Sequence, residues 1–190
     1  MFEKLKKDVV TARVFIDMDG VLAKWAPVDF YEQLFEKGRF SSLPVQQWVI
    51  DGLLGASQLF PKLRIRKDGK EQEVNVEYYI LTSCVESEYA IPEKSDWLDK
   101  EFNLPAQRRI YVKNGDNKAD YVPGGVKPTD ILIDDYSVNL HRWANRGGQG
   151  IKLMNGDNGN YGTWRGKSIK RFATPNQFFN TIVDIILQNA

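Results

Sequence analysis

The hydrophobic positions of this chain fall into short, nearly continuous runs separated by stretches of mixed, helix-like spacing. Four runs predict β-strands buried on both faces: "ARVFID" ending at Asp17, "VEYYILTS" at Ser83, "DILIDD" at Asp135 and "GIKLM" at Met154. "RRIYVK", residues 108–113, is a weaker fifth. Between them, "PEKSDWLDKEF" and "SVNLHRWANR" carry helical spacing, and "TPNQFFNTIVDIILQ" predicts a closing helix with Thr174 as N-cap and Pro175 at its first position. Strands alternating with helices imply an α/β domain with a mainly parallel sheet flanked by helices. Sites in such sheets gather outside the carboxyl ends of the strands.

The stretch from Ala26 to Asn75 breaks this rhythm. It holds a predicted helix in "DFYEQLFEKGRF", a mixed segment "LPVQQWVIDGLL", and "LRIRKDGKEQEVNV", whose Asp68-Gly69 pair suits a hairpin turn. Residues 26–75 are expected to form a small cap inserted into a core made of 1–25 and 76–190. The plainer alternative is a long first crossover packed on the sheet edge.

Composition narrows the partners. The 190 residues carry 26 Lys and Arg against 25 Asp and Glu, a formal charge of +1, so no global field favours nucleic acid or acidic membranes. One cysteine, Cys84, and one histidine, His141, exclude an internal disulfide and a Cys/His zinc cluster. No apolar stretch approaches the roughly 18 to 20 residues of a membrane span, and "MFEKLKKDVV" lacks a signal peptide's apolar region. A soluble cytoplasmic protein is expected, with a homodimer left open.

The strand ends share a chemistry: Asp17 and Asp19, then Thr82 and Ser83, then Asp134 and Asp135. A turn explains Asp19-Gly20 but not Asp17. Carboxylates that converge from different strands must share a proton or hold a cation. An all-oxygen site of this kind suits magnesium, which completes its shell with substrate phosphate, and phosphoryl transfer is the natural reaction.

The ordered set "DMDGVLA", "ILTSC", "IPEKSDWLDKEF" and "LIDDY" resembles the haloacid dehalogenase (HAD) superfamily of phosphatases, and within it most nearly the 5'-deoxyribonucleotidases of cytosolic C type. The resemblance implies a Rossmann-like core and a magnesium-dependent phosphomonoesterase acting on 5'-nucleotides through an aspartyl-phosphate. Asp17 would be the nucleophile and Asp19 the acid/base. Thr82, Ser83 and amides around Gly20 would hold phosphate. Lys94 would offset its charge, with Lys118 the second candidate for that role. Asp17, the Asp19 carbonyl, Asp134 and Asp135 would hold Mg2+, although Asp135 could instead cap the following helix. Trp25 would stack on the base, although Lys24 stands where the family often has an acid. Trp48, Phe35 and Phe40 are expected in the cap core. His141 and buried Cys84 are expected to be structural. The substrate would be a small phosphorylated metabolite. Two other readings stay open: the same chemistry on a sugar phosphate, or a non-catalytic nucleotide- or nucleic-acid-binding scaffold.

Overall fold

A computed structural model describes residues 10–59, 62–67, 70–156 and 162–189. Seven strands form one sheet: β1 (Val10–Ile16), β2 (Lys62–Lys67), β3 (Lys70–Cys84), β4 (Arg109–Lys113), β5 (Ile131–Asp134), β6 (Gln149–Met154) and β7 (Lys167–Lys170). Their order is β2-β3-β1-β5-β6-β7, with β4 also beside β3. Every pairing is parallel except β2 with β3. β1 lies between β3 and β5, which leave it in opposite directions. The carboxyl end of β1 is therefore the topological switch point, where open α/β sheets build their sites.

Each expected strand is present, and β7 is one the hydrophobic pattern did not predict: only Ile169 of its four residues is buried. The alternation of side chains explains why central strands read as continuous apolar runs. Val14, Ile16, Ile131 and Ile133 enter one core with α1 (Gln47–Leu59), α2 (Ala90–Glu101) and α4 (Pro175–Asn189). Phe15 and Leu132 point the other way, to Leu140 and Trp143 of α3 (Ser137–Ala144). The Phe15 and Trp143 rings meet edge-on at 5.1 Å, a geometry that adds about 0.5 to 1.5 kcal/mol to area burial.

α4 begins as its sequence predicts. Thr174 Oγ1 accepts from Gln177 N at 3.4 Å, and Thr174 N donates to Gln177 Oε1 at 2.7 Å. This reciprocal capping box ahead of Pro175 satisfies two donors at the helix start.

The segment after β1 departs from expectation in part. The helix expected over residues 29–40 shrinks to one 3-10 turn, Tyr31–Phe35, with none of its residues buried. Phe30 and Tyr31 stay 69% and 57% exposed, and only Leu34 and Phe35 lean on the core, partly buried, too little of the packed face that stabilises most helices. "LPVQQWVIDGLL" instead supplies α1, which packs on α4 and buries Val49, Ile50 and Leu53. Residues 62–67 and 70–75 are strands of the central sheet, since β2 pairs with β3 from Lys62↔Asn75 to Lys67↔Lys70. The Asp68-Gly69 turn lies outside the described residues. No described helix is long and apolar enough to cross a membrane.

Candidate active site

Strand register brings the acidic ends together. Ile16 pairs with Ile133, and Asp17 N donates to Ile133 O at 3.0 Å, so Asp17 falls level with Asp134. Carboxylate oxygens of Asp17, Asp134 and Asp135 all lie within 4.8 Å of one another, and all three residues are buried.

After Asp17 the chain folds back tightly: Val21, Leu22 and Ala23 all donate to Met18 O, and Gly20 N donates to Ala23 O. Met18, Val21, Leu22 and Ala23 are fully buried, which anchors the turn. Gly20 has φ +77°, and a Cβ there would fall 2.2 Å from Asp135 Oδ2. Its amide is engaged by Ala23, so what Gly20 supplies is space for the Asp135 carboxylate and a positive φ that glycine adopts freely. The Met18 amide is likewise engaged, by Asp17 Oδ1 at 2.8 Å.

Two buried lysines divide the carboxylates between them. Lys94 sits on the inward stripe of α2 formed by Ala90, Lys94, Trp97 and Leu98. Its ammonium donates to Asp19 Oδ2, to Thr82 Oγ1 at 3.0 Å and to Ser83 O at 2.6 Å. Lys118 reaches Asp17 Oδ2 and Asp134 Oδ2, both at 2.8 Å. The lysine touching the expected nucleophile is thus Lys118, whereas Lys94 holds the expected acid/base. Thr82 is fully buried beneath the floor with Lys94, and Ser83 lines the cleft above it.

Burial raises the Asp19 carboxyl above the usual carboxylate range; Lys94 opposes this and Asp17 adds to it. Asp19 Oδ1 is buried without a hydrogen-bond partner among the described residues, leaving one carboxyl oxygen ready for another group. Asp134 is pushed up to about 6, chiefly by burial, against the pull of Lys118. Burial alone would lower the Lys118 ammonium, but Asp134 and Asp17 outweigh it and raise it.

The carboxylates behave differently toward the cleft. Asp134 is fully enclosed: Oδ1 accepts from Tyr136 N at 2.8 Å, and Oδ2 accepts from Lys118 and from Asn139 Nδ2 at 2.9 Å. Asp17, Asp19 and Asp135 line a cleft of about 480 Å³. The N-cap position of α3 is held by Tyr136, not Asp135, and Tyr136 makes no side-chain cap bond. The four carboxyl groups outnumber the nearby buried ammoniums of Lys94, Lys118 and Lys152 in an all-oxygen donor set, which fits a hard cation such as Mg2+. Asp17 and Asp135 face the cleft, and Asp134 lies behind them.

Trp25, Leu34 and Phe40 line the same cleft. The Arg39 guanidinium carbon lies 5.6 Å from the Trp25 ring centroid. Phe40 is both core and wall: it is buried, and its ring centroid is 4.8 Å from Lys94 Nζ. Trp48 packs on Phe172 and Phe178, and Phe35 on Tyr31. His141 contacts Thr163 Oγ1 at 2.9 Å and the Trp164 ring. Cys84 is buried, and burial raises its thiol, as for an inert core cysteine.

Several supporting residues escaped the sequence pattern. Asn155 donates to Gly20 O at 2.5 Å and to Asp135 Oδ2 at 3.0 Å, tying the β1 turn to the β5 end. Gln46, just before α1, donates to Gly20 O and Val21 O at 2.9 and 3.1 Å. Lys152 supports the Asp135 carbonyl at 2.8 Å. Asn155 did carry a signal, because it follows the last residue of β6, the same strand-end position as Asp17 and Asp135. Gln46 had none.

No protein-family model matches the sequence, and no curated protein matches it. Among solved structures, the chain is similar to D,D-heptose 1,7-bisphosphate phosphatase from Burkholderia thailandensis, with TM-score 0.53 and 10% identity over 90% of this chain and 98% of that one. It is also similar to a protein described as a HAD-like phosphatase from Mesorhizobium loti, with TM-score 0.52 and 8% identity over 95% and 88% of the two chains. The fold is HAD-like. At these identities the likeness is one of architecture, and neither neighbour is described as a nucleotidase. The HAD-like fold accounts for the switch point at β1 and the gathering of strand ends there.

Proposed function

We propose that this chain is a Mg2+-dependent phosphomonoesterase acting on a small phosphorylated metabolite, with a sugar phosphate as the favoured substrate class. The observation that carries the reading is the pairing of Asp17 and Asp19 at one cleft floor, each held by its own buried lysine. A scaffold that only bound a ligand would not need two carboxylates with opposite roles.

Asp17 is placed to attack phosphorus, forming an acyl-phosphate bond as the ester P–O bond breaks. The raised carboxyl of Asp19 gives its proton to the departing alkoxide. Asp19, now ionised and stabilised by Lys94, then takes a proton from water, whose oxygen attacks phosphorus and releases phosphate and the Asp17 carboxylate. Lys118 holds Asp17 in place and offsets its charge. Mg2+, held by Asp17 and Asp135 with Asp134 in support, would supply charge neutralisation at the phosphoryl oxygens.

Two things favour a sugar phosphate. The cleft has a polar side, with Asn114, Asp116 and Asn139, suited to hydroxyl groups, and the Burkholderia neighbour of similar fold is a heptose bisphosphate phosphatase. A second reading, a 5'-nucleotide, is supported by Trp25 on the cleft wall, where indole can stack on a base.

Phosphate release from matched sugar-phosphate and nucleotide panels tests this. Turnover with Mg2+ that chelation silences is expected, highest on sugar phosphates. Absence of turnover on every phosphomonoester would leave the scaffold reading standing.

A further inference from the structure

The cleft rim holds a cation that the hydrolytic chemistry does not use. Among the described residues lining the cleft, four are acids (Asp17, Asp19, Asp116 and Asp135), and Arg142 alone is cationic. The lysines under the floor are already engaged by carboxylates and the Thr82 hydroxyl. Arg142 is exposed and, among the described residues, makes one hydrogen bond, from Nη1 to Gly115 O at 3.2 Å. Arg13, Arg109 and Arg146 are each paired with an aspartate, whereas no ion pair is recorded for Arg142 among the described residues. A guanidinium has five donors in a planar fork, so most of its capacity is uncommitted.

Its placement on α3 says what that capacity is for. Asn139 and Arg142 are three residues apart and share a helix face. Asn139 donates to Asp134 at the floor, and both residues line the cleft. The side of α3 that supports the acidic floor thus carries, one turn on, a guanidinium that lines the same cleft. Asp116, the acid on the rim, is engaged by the Tyr121 hydroxyl. A substrate phosphoryl group on Asp17 would lie beside Lys118, and Arg142 lines the same cleft away from that contact, on α3.

We propose that Arg142 is a specificity determinant that binds a second anionic group, phosphate or carboxylate, at the end of the substrate remote from the bond being cleaved. The proposal rests on the phosphatase reading above. A planar fork recognises either oxyanion through paired N–H donors, so the two sources must be told apart by experiment.

Steady-state kinetics with Mg2+ on two substrate pairs provides the test: fructose 1,6-bisphosphate with fructose 6-phosphate, and 3-phosphoglycerate with glycerol 3-phosphate. The wild-type protein should favour the member with the extra anion in at least one pair, by about tenfold in kcat/KM; the pair that shows it names the anion. Arg142→Gln should bring that ratio close to unity, mainly through KM, and Arg142→Lys should retain an intermediate ratio. A wild-type ratio near unity in both pairs would overturn the proposal. So would an Arg142→Gln variant that loses kcat equally on both members, since the residue would then act on the transferred phosphoryl group. Absence of turnover on these four compounds and on every other phosphomonoester would remove the phosphatase reading and this inference together.

Discussion

The floor and the rim of the cleft are built on opposite terms. On the floor, Thr82, Lys94 and Asp134 are fully buried, Lys118 nearly so, and each charge meets a partner from a different strand or helix. The rim is made of Trp25, the 3-10 turn after it, the loop following β4 and the outer face of α3, with Tyr136 half exposed and Arg142 unpaired among the described residues. Buried charges are tolerated only when over-determined by partners, so the floor is a fixed device. Rim residues are free to be selected by what they contact. On the proposed phosphatase reading, chemistry and substrate choice are thus separated by burial, and substitutions in the two regions should differ in kind.

The largest effect is expected from Asp17→Asn, which removes the nucleophile while Lys118 keeps Asp134 as partner. Turnover should fall by at least about three orders of magnitude with a near-native circular dichroism spectrum; wild-type-like rates would end the covalent mechanism. Next is Lys118→Met, which leaves Asp17 and Asp134 buried and mutually repelling. A loss of about 3 to 5 kcal/mol should show in urea denaturation, and an unchanged midpoint would mean that the floor is not held by this pair.

Asn155→Ala should weaken Mg2+ binding by about 10- to 100-fold, read by calorimetry, because it removes the amide that ties the Gly20 carbonyl to the Asp135 carboxylate. The pH dependence follows from Asp134. Its carboxyl is raised to about 6 in the fold, so between the ordinary carboxylate range and about pH 6 the metal-free fold binds the extra proton. This group's contribution to stability is therefore greatest in acid and is lost as pH rises through about 6. Mg2+ needs the ionised form, so the rise in Tm on adding Mg2+ should be larger at about pH 7.5 than at about pH 5. The smallest effect belongs to the rim: Trp25→Ala should cost about 1 to 3 kcal/mol of binding on nucleotides and less on sugar phosphates. Equal losses on both would make Trp25 a structural residue of the wall.

The sequence by itself determined the central strands and the acidic end of β1, because apolar runs buried on both faces are continuous and a carboxylate directly after such a run has nowhere apolar to go; the edge strands β2 and β7 lacked that signal. It also marked Lys94, which follows the hydroxyl motif on the helix singled out by the "PEK" match; that its side chain lies on the buried stripe of that helix came from the structure. Which lysine meets Asp17 was decided only by tertiary structure: Lys118 sits in a short 3-10 turn with no periodicity, and its contact depends on how that turn packs against β3, β4 and α3. The same holds for Gln46 and Asn155, whose amides find the Gly20 carbonyl across 26 and 135 residues. Local patterns record which face of an element is buried, whereas long-range polar contacts depend on strand order and register, which no window of neighbouring residues contains.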